Sequence, residues 1–252
     1  MTCPKCGFKQ DKSNTECPNC GIIFEKYSSR QRKLSGEESF DKSPPVELAE
    51  AVREKNPTVF LRDLFLNVRP QINVFYFAGR VIVFLLILIG GIKFIITPMK
   101  SNYAGQSFMH MINLPFHEAG HIIFRPFGQF LMALGGSLTQ ILIPLICLIV
   151  FLIKTRDTFA ASITLWWTGE NLMDLAPYIN DARELKLILL GGVTGRDVEN
   201  YHDWEFILRK LGWLRYDHIL AYTANSFGIV LIVTALLWGG MLLYKQFRNI
   251  DI

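Results

Sequence analysis

Apolar residues fall along this chain in long blocks, not in short alternations. The first 58 residues are polar or carry cysteine, and from Val59 onward apolar runs dominate. Val59–Val68 has a helical period. Phe60, Leu61, Leu64, Phe65 and Val68 share one face, with Arg62, Asp63 and Asn67 opposite. A helix lying in a membrane interface gives that pattern, and so does one packed on a soluble core. Five longer runs follow: Val74–Pro98, Gln106–Gly128, Leu138–Ile153, Thr158–Ile179 and Ile219–Tyr244. Each reads as able to cross a hydrocarbon layer of ~30 Å, the third only just. A turn is expected at Gly135-Gly136-Ser137, ahead of the third run, and a mixed, soluble-looking segment over 180–216. Ser43-Pro44-Pro45 predicts a short helix over Val46–Lys55, because proline suits a helix start. The expected fold class is mostly α: a polytopic helical membrane bundle of about five spans behind a small N-terminal zinc ribbon. Its divisions are residues 1–25, a linker over 26–71, and a membrane-embedded domain over 72–252.

Composition agrees with that class. Half of the residues are hydrophobic, at 50%, and the mean hydropathy is +0.26. The net charge of +4 is mild and does not call for nucleic acid. Lysine and arginine near span ends set topology instead. The linker holds Arg30, Arg32, Lys33, Arg53 and Arg62, and the segment after the fourth run holds Arg183, Lys186, Arg196, Arg209 and Lys210. Both are expected in the cytoplasm, together with the N-terminus, which would leave Lys245 and Arg248 outside. The expected setting is the cytoplasmic membrane, with the lipid bilayer as first partner.

Four of the five cysteines form matched knuckles, Cys3-Pro4-Lys5-Cys6-Gly7 and Cys17-Pro18-Asn19-Cys20-Gly21. Two residues between cysteines let both thiolates reach one ion, and four thiolates suit Zn²⁺, or iron less often. A unit this small has no core, so the metal must supply its folding energy. Few basic or aromatic residues interleave, so a structural role, or docking of a cytoplasmic protein, is expected more than nucleic-acid binding. Cys147, alone in an apolar run, is expected to pack as a small apolar side chain.

The second run contains His117-Glu118-Ala119-Gly120-His121. Histidines one helical turn apart point the same way, as two ligands of one zinc must. Glu118 projects beside them, where a carboxylate can act as general base and then acid. A zinc protease needs a third protein ligand and an open position. Glu170, Asn171, Asp174 and Tyr178 share a face of the fourth run and fall at a matching depth. A polar patch that only joins helices is the alternative there. Asp181, closing the fourth run, and His202, beside Asp203, are further candidates. His202 could fold back over the site or sit on a surface loop. His110 and His218 have no evident partner.

Taken together, these motifs resemble the site-2 protease family of intramembrane zinc metalloproteases. The resemblance rests on His117-Glu118-Ala119-Gly120-His121 and on Asn171-Leu172-Met173-Asp174 two runs later, within residues 72–180. It implies two zinc ligands in His117 and His121, the catalytic carboxylate in Glu118, and a third ligand in Asp174. The family pattern has proline and glycine where Leu172 and Leu175 stand. Glu170 and Asp174 also fit the spacing of membrane metalloproteases with a glutamate ligand. The implied activity is cleavage of membrane-spanning or membrane-adjacent peptide segments, with one structural and one catalytic Zn²⁺. The other classes that fit are a non-enzymatic adaptor docking through its ribbon, and a zinc hydrolase of another substrate class.

Overall fold

The computed structural model describes residues 1–11, 14–28, 57–68 and 73–250. The helix expected over Val46–Lys55 lies outside them. The chain divides into two compact units, Met1–Asn56 and Pro57–Ile252. Among the described residues both are built without strands beyond isolated bridges.

Among its described residues, the first unit holds two copies of one turn. In the first knuckle the Cys3 amide donates to the Phe8 carbonyl and the Gly7 amide to the Cys3 carbonyl, at 2.9 and 3.0 Å. In the second the Cys17 amide donates to Ile22 and the Gly21 amide to Cys17, at 3.0 and 2.9 Å. Gly7 and Gly21 close these turns at φ of 72° and 67°, a region that costs glycine nothing.

The second unit contains seven α-helices among the described residues: α1 (Pro57–Leu66), α2 (Val74–Ile96), α3 (Phe108–Phe124), α4 (Gln129–Ile153), α5 (Thr158–Asn180), α6 (Asp203–Leu211) and α7 (Asp217–Phe247). Three helical stretches are long and apolar enough to cross a membrane: α2, α4 and Leu214–Phe247, which includes α7. Five spans were expected. The helix α3 has only 17 residues, and α5, though as long as α2, is polar. Burial explains the polarity of α5. Sixteen of its residues are inaccessible, so it has little apolar surface to show to lipid.

The packing is close where side chains are absent. A Cβ on Gly169 of α5 would lie 2.8 Å from the Gly228 carbonyl of α7, and one on Gly228 would lie 2.6 Å from the Gly169 carbonyl. The same device joins α3 to α4, where a Cβ on Gly120 would lie 2.1 Å from the Gly135 carbonyl. Small residues at such crossings let backbones approach and gain dispersion contacts. The expected turn at Gly135-Gly136-Ser137 is therefore not one: all three lie inside α4, and the helix reverses earlier, at Arg125–Gly128.

Helix direction corrects the expected sidedness. Ser162 meets Gly239 and Gly169 meets Gly228, so α5 and α7 run antiparallel. Phe77 packs on Phe247, with ring centroids 6.1 Å apart, so α2 also opposes α7. Arg80 of α2 bonds Asp157 at the start of α5, at 2.6 Å. Thr158 and Trp238 reach the carbonyls of Asn67 and Phe65, both at 2.7 Å, and fasten α1 to that same end. Segment 181–216 follows α5 and so lies at the opposite end from α1. It was expected on the same side. The count changes because α3 packs along α4 and crosses α5, which it meets through His110, Asn113, Phe116 and His117. Lys245 and Arg248, at the close of α7, join Arg62.

Candidate metal centre

Among the described residues, two groups of side chains are close enough to hold a metal ion. The first is Cys3, Cys6, Cys17 and Cys20. The Cys3–Cys20 and Cys6–Cys17 sulfurs lie 3.7 and 3.8 Å apart. A tetrahedral ion with bonds of ~2.3 Å spaces its sulfurs by about 3.8 Å. Hydrogen bonds from the Phe8 backbone and the Asn19 side chain hold Cys6 down at about 6. Desolvation, with its neighbouring sulfurs, pushes Cys20 up to about 12. Four thiols this close cannot all ionise without a cation among them.

The second group is His117, His121 and Asp203, whose ligand atoms lie within 4.8 Å of one another. His117 and His121 are successive turns of α3, with ring centroids 4.8 Å apart. Each imidazole is fixed from behind. His121 Nδ1 lies 2.8 Å from the Met132 carbonyl, which only accepts, so Nδ1 carries the proton. His117 Nδ1 lies 2.9 Å from Gln140 Oε1. The amide of Gln140 could point either way, but its Nε2 donates to Asp174 Oδ2 at 2.9 Å. The carboxylate of Asp174 thus turns the Gln140 oxygen toward His117 and puts the proton on Nδ1 there too. Both Nε2 lone pairs are left free on the same side, as ligation requires.

Asp203 faces those lone pairs. Its Oδ2 lies 3.3 Å from the Nε2 of His117 and 3.3 Å from that of His121. The helix α6 delivers it. DWEFILRKL is amphipathic, with acids in its first turn, bases in its last, and Gly212 as a left-handed cap at φ 69°. Phe206 and Ile207 pack on Ala133, Phe130 and Leu134 of α4. Trp204 donates to Ser137 at 3.1 Å. The Tyr178 hydroxyl accepts from the Asp203 amide at 2.8 Å and donates to its carboxylate at 3.1 Å. Burial alone would raise Asp203, but without a metal and with both imidazoles charged, hydrogen bonds from His117 and His121 outweigh it and hold the carboxyl at about 2.

The space between the three donors is kept open by Gly136. A Cβ there would stand 2.6 Å from His117 Nε2 and 2.7 Å from His121 Nε2. Two imidazole nitrogens, one carboxylate and a side-chain-free floor fit a divalent ion of the zinc type. The donors open on a cavity of about 470 Å³, lined by Glu118, His110, Asp174, Tyr178 and the segment 187–190.

The expected third carboxylate is displaced by this arrangement. Asp174 bonds His110 at 2.9 Å and Gln140, one hydrogen bond further out than the metal-facing nitrogens. Its expected place is taken by Asp203. Glu170 is fully buried and accepts from Asn113 at 2.9 Å, while its Oε1 has no partner among the described residues. Asn171 turns back to the Trp167 carbonyl of its own helix, at 2.9 Å, and does not line the cavity. His202 caps α6, its Nδ1 accepting from Glu205 at 3.1 Å, and its Nε2 faces Asp181 at 3.6 Å. Asp181 also accepts the amides of Lys186 and Leu187. Burial works to raise its carboxyl, but His202 and those amides keep it below the ordinary range. His202 and Asp181 therefore shape the segment that carries Asp203. Local spacing passed over Gln140, Gly136 and Asp203. The one signal available was the acid–aromatic start of an amphipathic nonapeptide beside His202.

Comparison with protein-family models, with curated proteins and with solved structures gave no match.

Proposed function

We propose that this chain is a multi-pass zinc metallopeptidase that cleaves membrane-spanning or membrane-adjacent peptide segments. One observation carries the reading: the convergence of His117, His121 and Asp203 on an open floor, with Glu118 lining the same cavity. A bound zinc would polarise the scissile carbonyl and lower the pKa of water. The residues do the rest. His117, His121 and Asp203 would hold the ion, with tautomers set by Gln140 and Met132. Glu118 would accept a proton from the attacking water and return it to the leaving amine. Tyr178 holds Asp203 in place through both its amide and its carboxylate. The ribbon cysteines would hold a second, structural zinc.

Glu118→Gln tests the chemistry. Membrane vesicles carrying the full chain should release new peptide termini from their membrane proteins, read by mass spectrometry. The variant should lose that release by roughly 10²–10⁴-fold. It should keep the same two metal equivalents as the parent, one per donor group. A variant as active as the parent would sink the proposal. One metal per chain in the parent, held by the cysteines, would favour the adaptor instead.

Free thiols in the ribbon suit a reducing compartment, so the N-terminus would lie in the cytoplasm. The helix directions then put the C-terminus on that side and segment 181–216 on the other. An epitope tag after Ile252 and one inserted between Gly191 and Gly192 should be digested from opposite faces of sealed vesicles. Digestion of both tags from one face would contradict it.

A further inference from the structure

At the end of the helical unit away from the metal centre lies a second concavity of about 470 Å³. It opens between α1 and the last turn of α7 and is lined by Arg62, Asp63, Asn67, Lys245 and Arg248, among others. Three cations face one carboxylate. Arg62 and Asp63 are 3.5 Å apart and both well exposed, so their pairing is weak. Lys245 and Arg248 make no ion pair among the described residues. The wall is held in place, because Trp238 and Thr158 bond the closing carbonyls of α1.

Its position indicates what it would meet. The stretch Leu214–Phe247 is apolar enough to cross a membrane, and Lys245 and Arg248 stand where it ends. Cations at that level reach the phosphates of a bilayer. Phe65, Tyr244 and Phe247 beside them are exposed, at 40%, 63% and 63%, and offer apolar surface at the same edge.

We propose that this concavity binds the phosphate of an anionic phospholipid, with its acyl chains against Phe65, Tyr244 and Phe247. Arg248 presents paired N–H donors to two phosphate oxygens, Lys245 supplies a second charge, and Asn67 offers an amide. Free phosphate shares the headgroup chemistry, so the test must separate the two.

The full chain is reconstituted in phosphatidylcholine bilayers containing phosphatidylglycerol and extracted in neutral detergent, and the lipid retained per chain is weighed. Phosphatidylglycerol should be retained over phosphatidylcholine, and millimolar inorganic phosphate should not displace it. The double variant Lys245→Gln with Arg248→Gln should lower retention roughly thirtyfold. The pair Lys154→Gln and Arg156→Gln, exposed and at the same end but outside the concavity, should leave it unchanged. The charge-keeping pair Lys245→Arg with Arg248→Lys should retain lipid, and all variants should melt like the parent. Equal loss in both Gln pairs would mean a general surface field, not a site. Displacement by phosphate alone would make it a phosphate site. Unchanged retention in the Lys245 and Arg248 pair would leave these cations as mere partners of the α7 carbonyl end. Each of these three results overturns the proposal.

Discussion

Asp203→Ala is expected to strip the helical unit of its metal while the ribbon keeps its own. The full chain should then carry one equivalent where the parent should carry two, one per donor group. The reason is arithmetic. Two imidazoles alone leave a zinc-type ion short of a protein ligand, and Asp203 is the carboxylate within reach of both Nε2 atoms. Asp174→Asn should behave differently. It replaces one carboxylate oxygen with an NH₂, so Gln140 no longer faces a group that can only accept, and its amide can flip and present its NH₂ to His117. That leaves the donors in place with a poorer tautomer, and affinity should fall by about 10–100-fold without vanishing. Metal titration of the two variants, read separately for ribbon and helical unit, decides the matter. Full loss on Asp174→Asn with retention on Asp203→Ala would return the ligand role to Asp174. Acidification carries a further check. Asp203 is held at about 2, so metal release on lowering the pH should follow protonation of the imidazoles, well before the carboxylate gains its proton.

The helical unit was legible where the signal is local. His117 and His121 sit four residues apart on one helix, and no tertiary information is needed to align them. The knuckles are equally local, since each closes within seven residues by the same pair of backbone bonds. The long apolar stretches declared α2, α7 and the part of α4 from Leu138 onward by composition alone. What failed was everything set by a partner far along the chain. Asp203 is 86 residues from His117, and nothing in DWEFILRKL says that its first residue docks beside α3. The depth argument for Asp174 came close. That side chain does face the cavity, but Gln140 stands between it and the histidine. Helix counting failed for a related reason. Apolarity reports exposure to lipid, and α5 is buried among its neighbours, so its polarity says little about where it runs. Once α3 is seen to cross α5 and not to lie alongside it, the parity of the helices changes, and α1 and the close of α7 fall at one end of the helical unit.

The glycine pair of α4 carries the last expected result. Read locally, Gly135-Gly136 is a turn. In the structure both are helical, and each is small for a different reason. A Cβ on Gly135 would lie 2.7 Å from Phe124 Cβ and 2.8 Å from the Gly120 carbonyl, so it would push α3 off α4. Gly135→Ala should therefore cost about 1–3 kcal/mol of stability by overpacking, seen as a lower melting temperature. The atoms nearest a Cβ on Gly136 are not backbone. They are ring atoms of the two histidines: His117 Nε2 at 2.6 Å, and His121 Cε1 and Nε2 at 2.7 Å. The rings cannot swing away cheaply, because their Nδ1 atoms are tied to Gln140 and Met132. Alanine also favours a helix over glycine by up to ~1 kcal/mol, so α4 itself should not suffer. Gly136→Ala should therefore lose the metal of the helical unit, and with it any proteolysis, beyond whatever it costs in melting temperature. Neighbouring, chemically identical substitutions would then divide by metal content, with only Gly136→Ala filling the space between the donors. A Gly136→Ala chain that still binds two metals as tightly as the parent would mean that the ion, wherever it is held, is not between His117, His121 and Asp203.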